Sequence, residues 1–386
     1  MDFSHLLKKR LFSPGPTEIP LRSQFAAVDN NPYHRTQAFY SIIMNCLEFL
    51  KGFFGTETMP VILTASGTGA MEAALVNLTN PGTRVLMISG GRFGDRWIKM
   101  AQAYACETTV VAVPWGQSLS PDELLQQLKK NSGIQAVFFQ AVETSTGAYF
   151  PVAELARTVR QNSDALVIVD ALSSLLCHEM NMDAWGIDCV FAASQKGFGA
   201  GAGLSFIALS ERARSRLSVR PRFYFNLVEE MQAQSTGKTA WTPGTQSILT
   251  LQASLKALSA IGREELYKFH RQMAYAVRAA LAAMGIEPFV KDQYAFSVTP
   301  FKVPSDIAGE KLKATLQEKY SVTFAGGQDH LKGKVLRLAH LGFVDPFDLL
   351  AAIAALELSL KGHGYTKALG LGTNAMMQNF PMWGEK

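Results

Sequence analysis

The segment Ala165-Leu-Val-Ile-Val-Asp170 is an apolar run that ends on a carboxylate, and Asp188-Cys-Val-Phe-Ala-Ala-Ser-Gln-Lys196 is a second that ends on a lysine. Short runs without polar alternation read as strands covered on both faces, which is the habit of parallel sheets. Open α/β sheets bind ligands outside the carboxyl ends of their strands. Asp170 and Lys196 both stand there.

Outward from this pair the chain alternates short apolar runs with amphipathic stretches. Strands are predicted over 61–64, 84–89, 108–113, 135–141 and 165–169, with helices over 70–78, 93–103 and 152–161 between them. Another helix starts at Ser120-Pro-Asp-Glu, which supplies an N-cap, a proline at the first helical position and acids in the first turn. The alternation predicts parallel strands with helices on both faces. Strands 189–193 and 204–209 follow each other with only glycine-rich chain between, so that part is predicted antiparallel. Long helices over 246–258 and 264–284 meet at Ile261-Gly262-Arg263. This divides the chain into an arm (1–20), a large domain (21–262) and a small C-terminal domain (263–386). In the last, strands are predicted over 295–300 and 335–340 and helices over 307–320 and 346–361. The tail from Tyr365 offers only Phe380 and Trp383 as docking residues.

Composition narrows the function. The 386 residues are 48% hydrophobic with a formal charge of +5, and the basic residues are scattered, which speaks against nucleic acid as a partner. The four cysteines form no C-x-x-C pair and read as reduced thiols of a cytoplasmic protein. The seven histidines make no ligand cluster, so no metal is expected. No apolar run approaches the ~18 residues of a membrane span, and no membrane association is expected.

A lysine at a strand end is ordinarily solvated. Lys196, however, follows an apolar strand and precedes Gly197-Phe-Gly-Ala-Gly-Ala-Gly203, which lets backbone pass close to something bulky. A buried lysine loses its charge readily and becomes a nucleophilic amine. Asp170 alone can also be read as an N-cap or loop carboxylate, yet it is suited to hold a pyridinium proton. Upstream, Ser66-Gly67-Thr68-Gly69 follows a strand and opens a helix, where backbone amides and the dipole favour an anion. Gly197-x-Gly199-x-x-Ala202 fits a dinucleotide fingerprint, but that fingerprint must open a helix and here precedes a strand. A lysine able to form a Schiff base, an acid for a ring nitrogen and a phosphate site are together the requirements of pyridoxal phosphate.

The chain resembles the class V aminotransferases of pyridoxal-phosphate fold type I, the group of alanine–glyoxylate and serine–pyruvate aminotransferases. The likeness runs through Leu11-Phe-Ser-Pro-Gly-Pro-Thr17, Ser66-Gly-Thr-Gly, Gly91-Arg-Phe-Gly-Asp-Arg96, Glu143-Thr-Ser-Thr-Gly147, Val169-Asp-Ala-Leu-Ser-Ser174, Ser194-Gln-Lys196 and Arg337-Leu-Ala-His-Leu-Gly342. It implies an α/β fold: a mostly parallel seven-stranded sheet in a three-layer large domain, plus a smaller α/β domain. It also implies roles. Lys196 and Asp170 are catalytic, and Ser66, Gly67 and Thr68 bind phosphate. Phe93 stacks on the ring, while Thr144 and Gln195 reach its oxygen. Arg337 clamps the substrate carboxylate, and Gly15 lines the pocket. A homodimer is implied, with Thr239 and Thr242 reaching the neighbour's phosphate and His34 and Arg35 near the pocket or the interface. Many relatives carry a tyrosine where Thr239 stands.

The expected reaction moves an amino group from alanine or serine to glyoxylate or pyruvate in a ping-pong cycle. A 2-aminoethylphosphonate–pyruvate transaminase is an alternative, in which Arg35 would receive the phosphonate. A cysteine desulfurase-like lyase fits less well, because no cysteine follows Cys189. A scaffold that kept the fold without the chemistry would not need Lys196, Asp170 and Arg337 together.

Overall fold

The computed structural model describes residues 8–28 and 32–380. Its strands, in chain order, are β1 (Arg10–Phe12), β2 (Val61–Leu63), β3 (Arg84–Ser89), β4 (Glu107–Ala112), β5 (Ala136–Gln140), β6 (Val142–Glu143), β7 (Ala148–Tyr149), β8 (Leu166–Asp170), β9 (Cys189–Ala193), β10 (Ser205–Leu209), β11 (Val298–Lys302), β12 (Val322–Gly326) and β13 (Val335–Ala339). The large sheet has seven strands in the order β2-β10-β9-β8-β5-β3-β4. Neighbours from β9 to β4 are parallel, and β10 alone runs against the rest, antiparallel to both β9 and β2.

The apolar runs explain this sheet. Every residue of β5, β8 and β9 is buried, as strands with two covered faces require. Side chains alternate strictly between the layers. Leu86, Ile88, Val137, Phe139, Val167 and Val169 pack on one side, while Val85, Met87, Ala136, Phe138, Leu166 and Ile168 pack on the other. Helix α1 (Leu21–Val28) packs on the helix Thr245–Ile261 and leaves Leu21, Phe25 and Val28 exposed. The first layer holds the buried face of α2 (Gln37–Phe54), and the second holds α3 (Gly67–Leu78) and Trp97 of α4 (Arg92–Ala103).

A four-stranded sheet, β1-β12-β13-β11, carries its own core of Phe301, Leu312, Phe324, Leu336, Leu338 and Ile353. The arm enters it directly, because β1 pairs in parallel with β12. The helix Arg263–Ala283 begins at Gly262 and packs beneath this sheet.

Several expectations are corrected in detail. The strand expected over 295–300 starts at Val298. The chain before it is bound elsewhere: Ala295 N donates to Gly147 O at 2.8 Å and Phe296 N to His178 Nε2 at 2.8 Å. Strand β12 has no loop before it to announce it; Ser321, in the left-handed region at φ 55°, ends the preceding helix and turns straight into the strand. In the tail, Leu371–Gln378 is helical and Phe380 meets Phe347 edge-on at 5.0 Å, while Trp383 lies outside the described residues. Among the described residues no helix is long and apolar enough to cross a membrane.

Candidate active site

The carboxyl ends of the strands deliver one residue group each to a common place. Strand β2 leads to Ser66-Gly67-Thr68, β3 to Phe93 and Arg96, β5 to Val142 and Thr144, β8 to Asp170, Leu172 and Ser173, and β9 to Gln195 and Lys196. With Gly15, Pro16 and Ala202 these residues enclose a cavity of about 270 Å³. A larger cleft of about 580 Å³ lies behind Gly197–Gly199, but it holds neither Lys196 nor Asp170 and is not where this chemistry gathers.

Lys196 Nζ donates to the carbonyl of Pro14. The arm is held there by Thr17, whose N donates to Gln195 O at 3.1 Å and whose Oγ1 donates to Lys196 O at 3.1 Å. Gly15 must be glycine. Its φ is +122°, and a Cβ would lie 2.6 Å from Lys196 Nζ. Burial pulls the Lys196 ammonium down to about 8; Asp170 opposes that shift, and Arg337 and Arg96 add to it.

Asp170 ends β8 fully inside the protein. Among the described residues its carboxylate accepts one hydrogen bond, from Leu172 N at 2.9 Å. Burial pushes it up to about 7, the Leu172 amide pulls against that, and the Glu143 charge raises it further. A carboxylate that costs this much to ionise and retains lone pairs facing a cavity is suited to a buried cationic N–H.

At the opposite end, Ser66 caps α3 by accepting from Gly69 N at 3.3 Å. Thr68 Oγ1 accepts from Arg96 Nη1 at 2.8 Å. Thr144 Oγ1 donates to Ser173 Oγ at 2.6 Å, and Gln195 Oε1 is buried without a partner among the described residues.

Two residues whose motifs are visible in the sequence acquire roles only in three dimensions. Glu143 is completely buried and takes Gly94 N at 3.0 Å, Phe93 N at 3.1 Å, Ser145 N at 3.1 Å and Ser145 Oγ at 2.5 Å. It therefore caps α4 from another strand, where Gly91 at the N-cap offers no side chain. Gly91 has no space for one, because a Cβ would sit 2.6 Å from Glu143 Cγ. Arg96 follows Phe93 by one turn, and that i, i+3 spacing was the signal available for placing it in the site.

The remaining expected residues do not line the cavity. Arg337 is 6% exposed, with Nη1 donating to Thr144 O at 3.0 Å and Nε to Gly326 O at 3.0 Å, and burial draws it down to about 10. It sits just behind the cavity wall. Thr239 Oγ1 donates to Trp241 O at 2.6 Å, and with Thr242 it borders a separate recess beside Thr64 and Tyr224. His34 is half-buried beside the Tyr33 ring, and Arg35 is exposed.

The cavity thus offers a spare carboxylate, an unpaired amide oxygen, an amine eased toward neutrality and a helix start able to take an anion. These fit pyridoxal phosphate. Sheet and site together define an enzyme of pyridoxal-phosphate fold type I.

The aminotransferase class-V family model matches residues 19–338, and the chain belongs to that family. It is 35% identical over 93% of its length to the soluble hydrogenase small subunit of Synechococcus sp. (strain PCC 6716), covering 94% of that protein. It is 32% identical over 96% of its length to serine–glyoxylate aminotransferase of Hyphomicrobium methylovorum, again covering 94%. The solved alanine–glyoxylate aminotransferase of Nostoc sp. superposes with a TM-score of 0.87 at 26% identity, over 93% of this chain and 99% of that one. The protein is a pyridoxal-phosphate-dependent aminotransferase acting on amino and oxo acids.

Proposed function

We propose that the protein moves the amino group of alanine or serine to a small 2-oxo acid, glyoxylate or pyruvate, in a ping-pong cycle. The observation that carries this is the small cavity shared by Lys196 and Asp170, with an anion site at its far end. The cofactor would itself take up most of that volume, so the cavity supports the reaction class. The short side chain of the donor is inferred from the serine–glyoxylate and alanine–glyoxylate relatives.

Pyridoxal phosphate supplies, when bound, an electron sink for charge developing at the substrate Cα. The chain does the rest. Lys196 Nζ takes the Cα proton as a neutral amine and hands it on, and a value near 8 suits a base working at neutral pH. Asp170 would hold a proton on the ring nitrogen, which would make the sink effective. Ser66, Gly67 and Thr68 would bind the phosphate, Phe93 would pack on the ring, and Thr144 and Gln195 would hold its oxygen. Arg337, held behind the cavity wall by Thr144 O and Gly326 O, would clamp the carboxylate common to donor and acceptor.

One set of half-reaction measurements tests this. Alanine and serine should discharge the cofactor's visible band and glyoxylate or pyruvate restore it. A response to aspartate or 2-aminoethylphosphonate alone would overturn the assignment. In the same assay Arg337→Lys should lower kcat/KM by about 10–100-fold for donor and acceptor alike, because an ammonium cannot reproduce the bidentate fork. A loss confined to one partner would contradict a shared clamp.

The homodimer belongs to the same proposal. Val219 is 90% exposed and Phe223 76%, and Phe223 packs on Trp241 beside the Thr239–Thr242 loop, a patch suited to a second copy. Sedimentation should give twice the 42.2 kDa of the chain, and a monomer at working concentration would refute it.

A further inference from the structure

Arg96 is the arginine that the cavity holds without an acid. Its Nη1 donates to Thr68 Oγ1 at 2.8 Å, and its guanidinium lies over the Phe93 ring, 4.9 Å from the centroid. Arg92, one turn earlier on the same helix, is neutralised, because it pairs with Asp329 at 3.2 Å. The acid next to Arg96 in sequence is engaged elsewhere, since Asp95 accepts from Ser89 Oγ at 2.6 Å. Among the described residues Arg96 has no carboxylate partner, and its positive field is felt at both Asp170 and Lys196.

Its position is informative. The guanidinium touches the first turn of α3, where amides with no intrahelical partner already concentrate positive charge. Two positive features beside each other inside a cavity repel unless an anion lies between them. Thr68 completes the arrangement. A hydroxyl that accepts from Arg96 keeps its own hydrogen to donate, so Thr68 is oriented toward an acceptor.

We propose that Arg96 is the fixed counter-cation of the cofactor phosphate, paired with it through its remaining N–H groups and orienting Thr68 as a donor to it. The proposal rests on the assignment of Ser66, Gly67 and Thr68 to the phosphate. Arg96 also props Phe93, so one residue links the phosphate end of the site to its ring-covering face.

The test titrates apoprotein with pyridoxal phosphate and, separately, with pyridoxal, and follows melting in inorganic phosphate. Arg96→Met should raise the Kd for pyridoxal phosphate about 10–100-fold and leave that for pyridoxal within about twofold. It should also abolish the stabilisation by inorganic phosphate. Arg96→Lys should recover part of the loss, because charge returns without the fork. Equal losses for both ligands would make Arg96 a support for Phe93 only, and unchanged affinity would remove it from the site; either overturns the proposal. A rise in substrate KM with an unmoved cofactor Kd would also overturn it, by assigning the guanidinium to substrate. A wild-type protein that binds pyridoxal as tightly as its phosphate would instead sink the phosphate site itself.

Discussion

Lys196→Ala should reduce steady-state transamination by at least about 10³-fold, because in the proposed mechanism one side chain supplies both the attachment point and the proton carrier at Cα. Loss of fold would not be the cause. In the folded protein the ammonium is pulled down to about 8, against about 10.4 unfolded, so below pH 8 both states carry the proton and the folded one bears the desolvation cost. That cost is relieved as pH rises from 8 toward 10.4. Removing the amine therefore relieves roughly 3 kcal/mol at neutral pH, offset by the lost packing of three methylenes. The variant should melt close to wild type at pH 7. Borohydride reduction should fix cofactor to the peptide bearing Lys196 in wild type and to no peptide in the variant. Turnover within tenfold of wild type, or label on another lysine, would remove Lys196 from its role.

The parts of the molecule legible in the sequence are those where one residue's neighbours in the chain settle its environment. Strands β5, β8 and β9 are read from their own apolar runs, and the reversal at β10 from the lack of a crossover helix between 193 and 204. Ser66 declares itself a cap because two glycines, a threonine and an apolar stretch come directly after it. By contrast, β1 is three residues long and exists because β12 offers it an edge. Helix α2 was within reach, with Thr36 as N-cap, Gly55 in the left-handed conformation after its end, and Phe39, Ile43, Leu47 and Leu50 on one face. Glu143 is harder. Its work is to cap a helix that starts fifty residues earlier, and only the β3–β5 pairing brings the two together. Arg337 shows the same limit from the other direction: its backbone register on β13 is predictable, but its two carbonyl partners come from β12 and from the turn after β6. Local pattern fixes elements; which charged groups face each other is a property of the assembled sheet.

Asp170→Asn should separate stability from function with opposite signs. Catalysis should fall by about 10²–10³-fold and the Kd for pyridoxal phosphate rise about 10–100-fold, since a neutral amide cannot hold the ring proton and a charge-assisted bond is lost. The apoprotein should nevertheless become more stable. Its carboxyl is held up to about 7, mainly by burial, whereas the unfolded value is about 3.9. Below pH 4 both states are protonated and no penalty exists. Between pH 4 and 7 the unfolded chain ionises while the folded one does not, so stability falls by about 1.4 kcal/mol per pH unit. Above pH 7 the accumulated penalty is constant at about 4 kcal/mol. Asparagine keeps an oxygen for Leu172 N and has nothing to ionise. The gain should thus be absent at pH 4, grow between pH 4 and 7, and raise the melting temperature by several degrees at pH 8. Cofactor bound as proposed would invert the balance, because a buried cation beside Asp170 makes the ionised form the favoured one. Calorimetry of both apoproteins across this range decides the matter: an Asn variant no more stable than wild type at pH 8 would mean that the carboxylate already has a partner, and the case for its waiting on a ring nitrogen would fail.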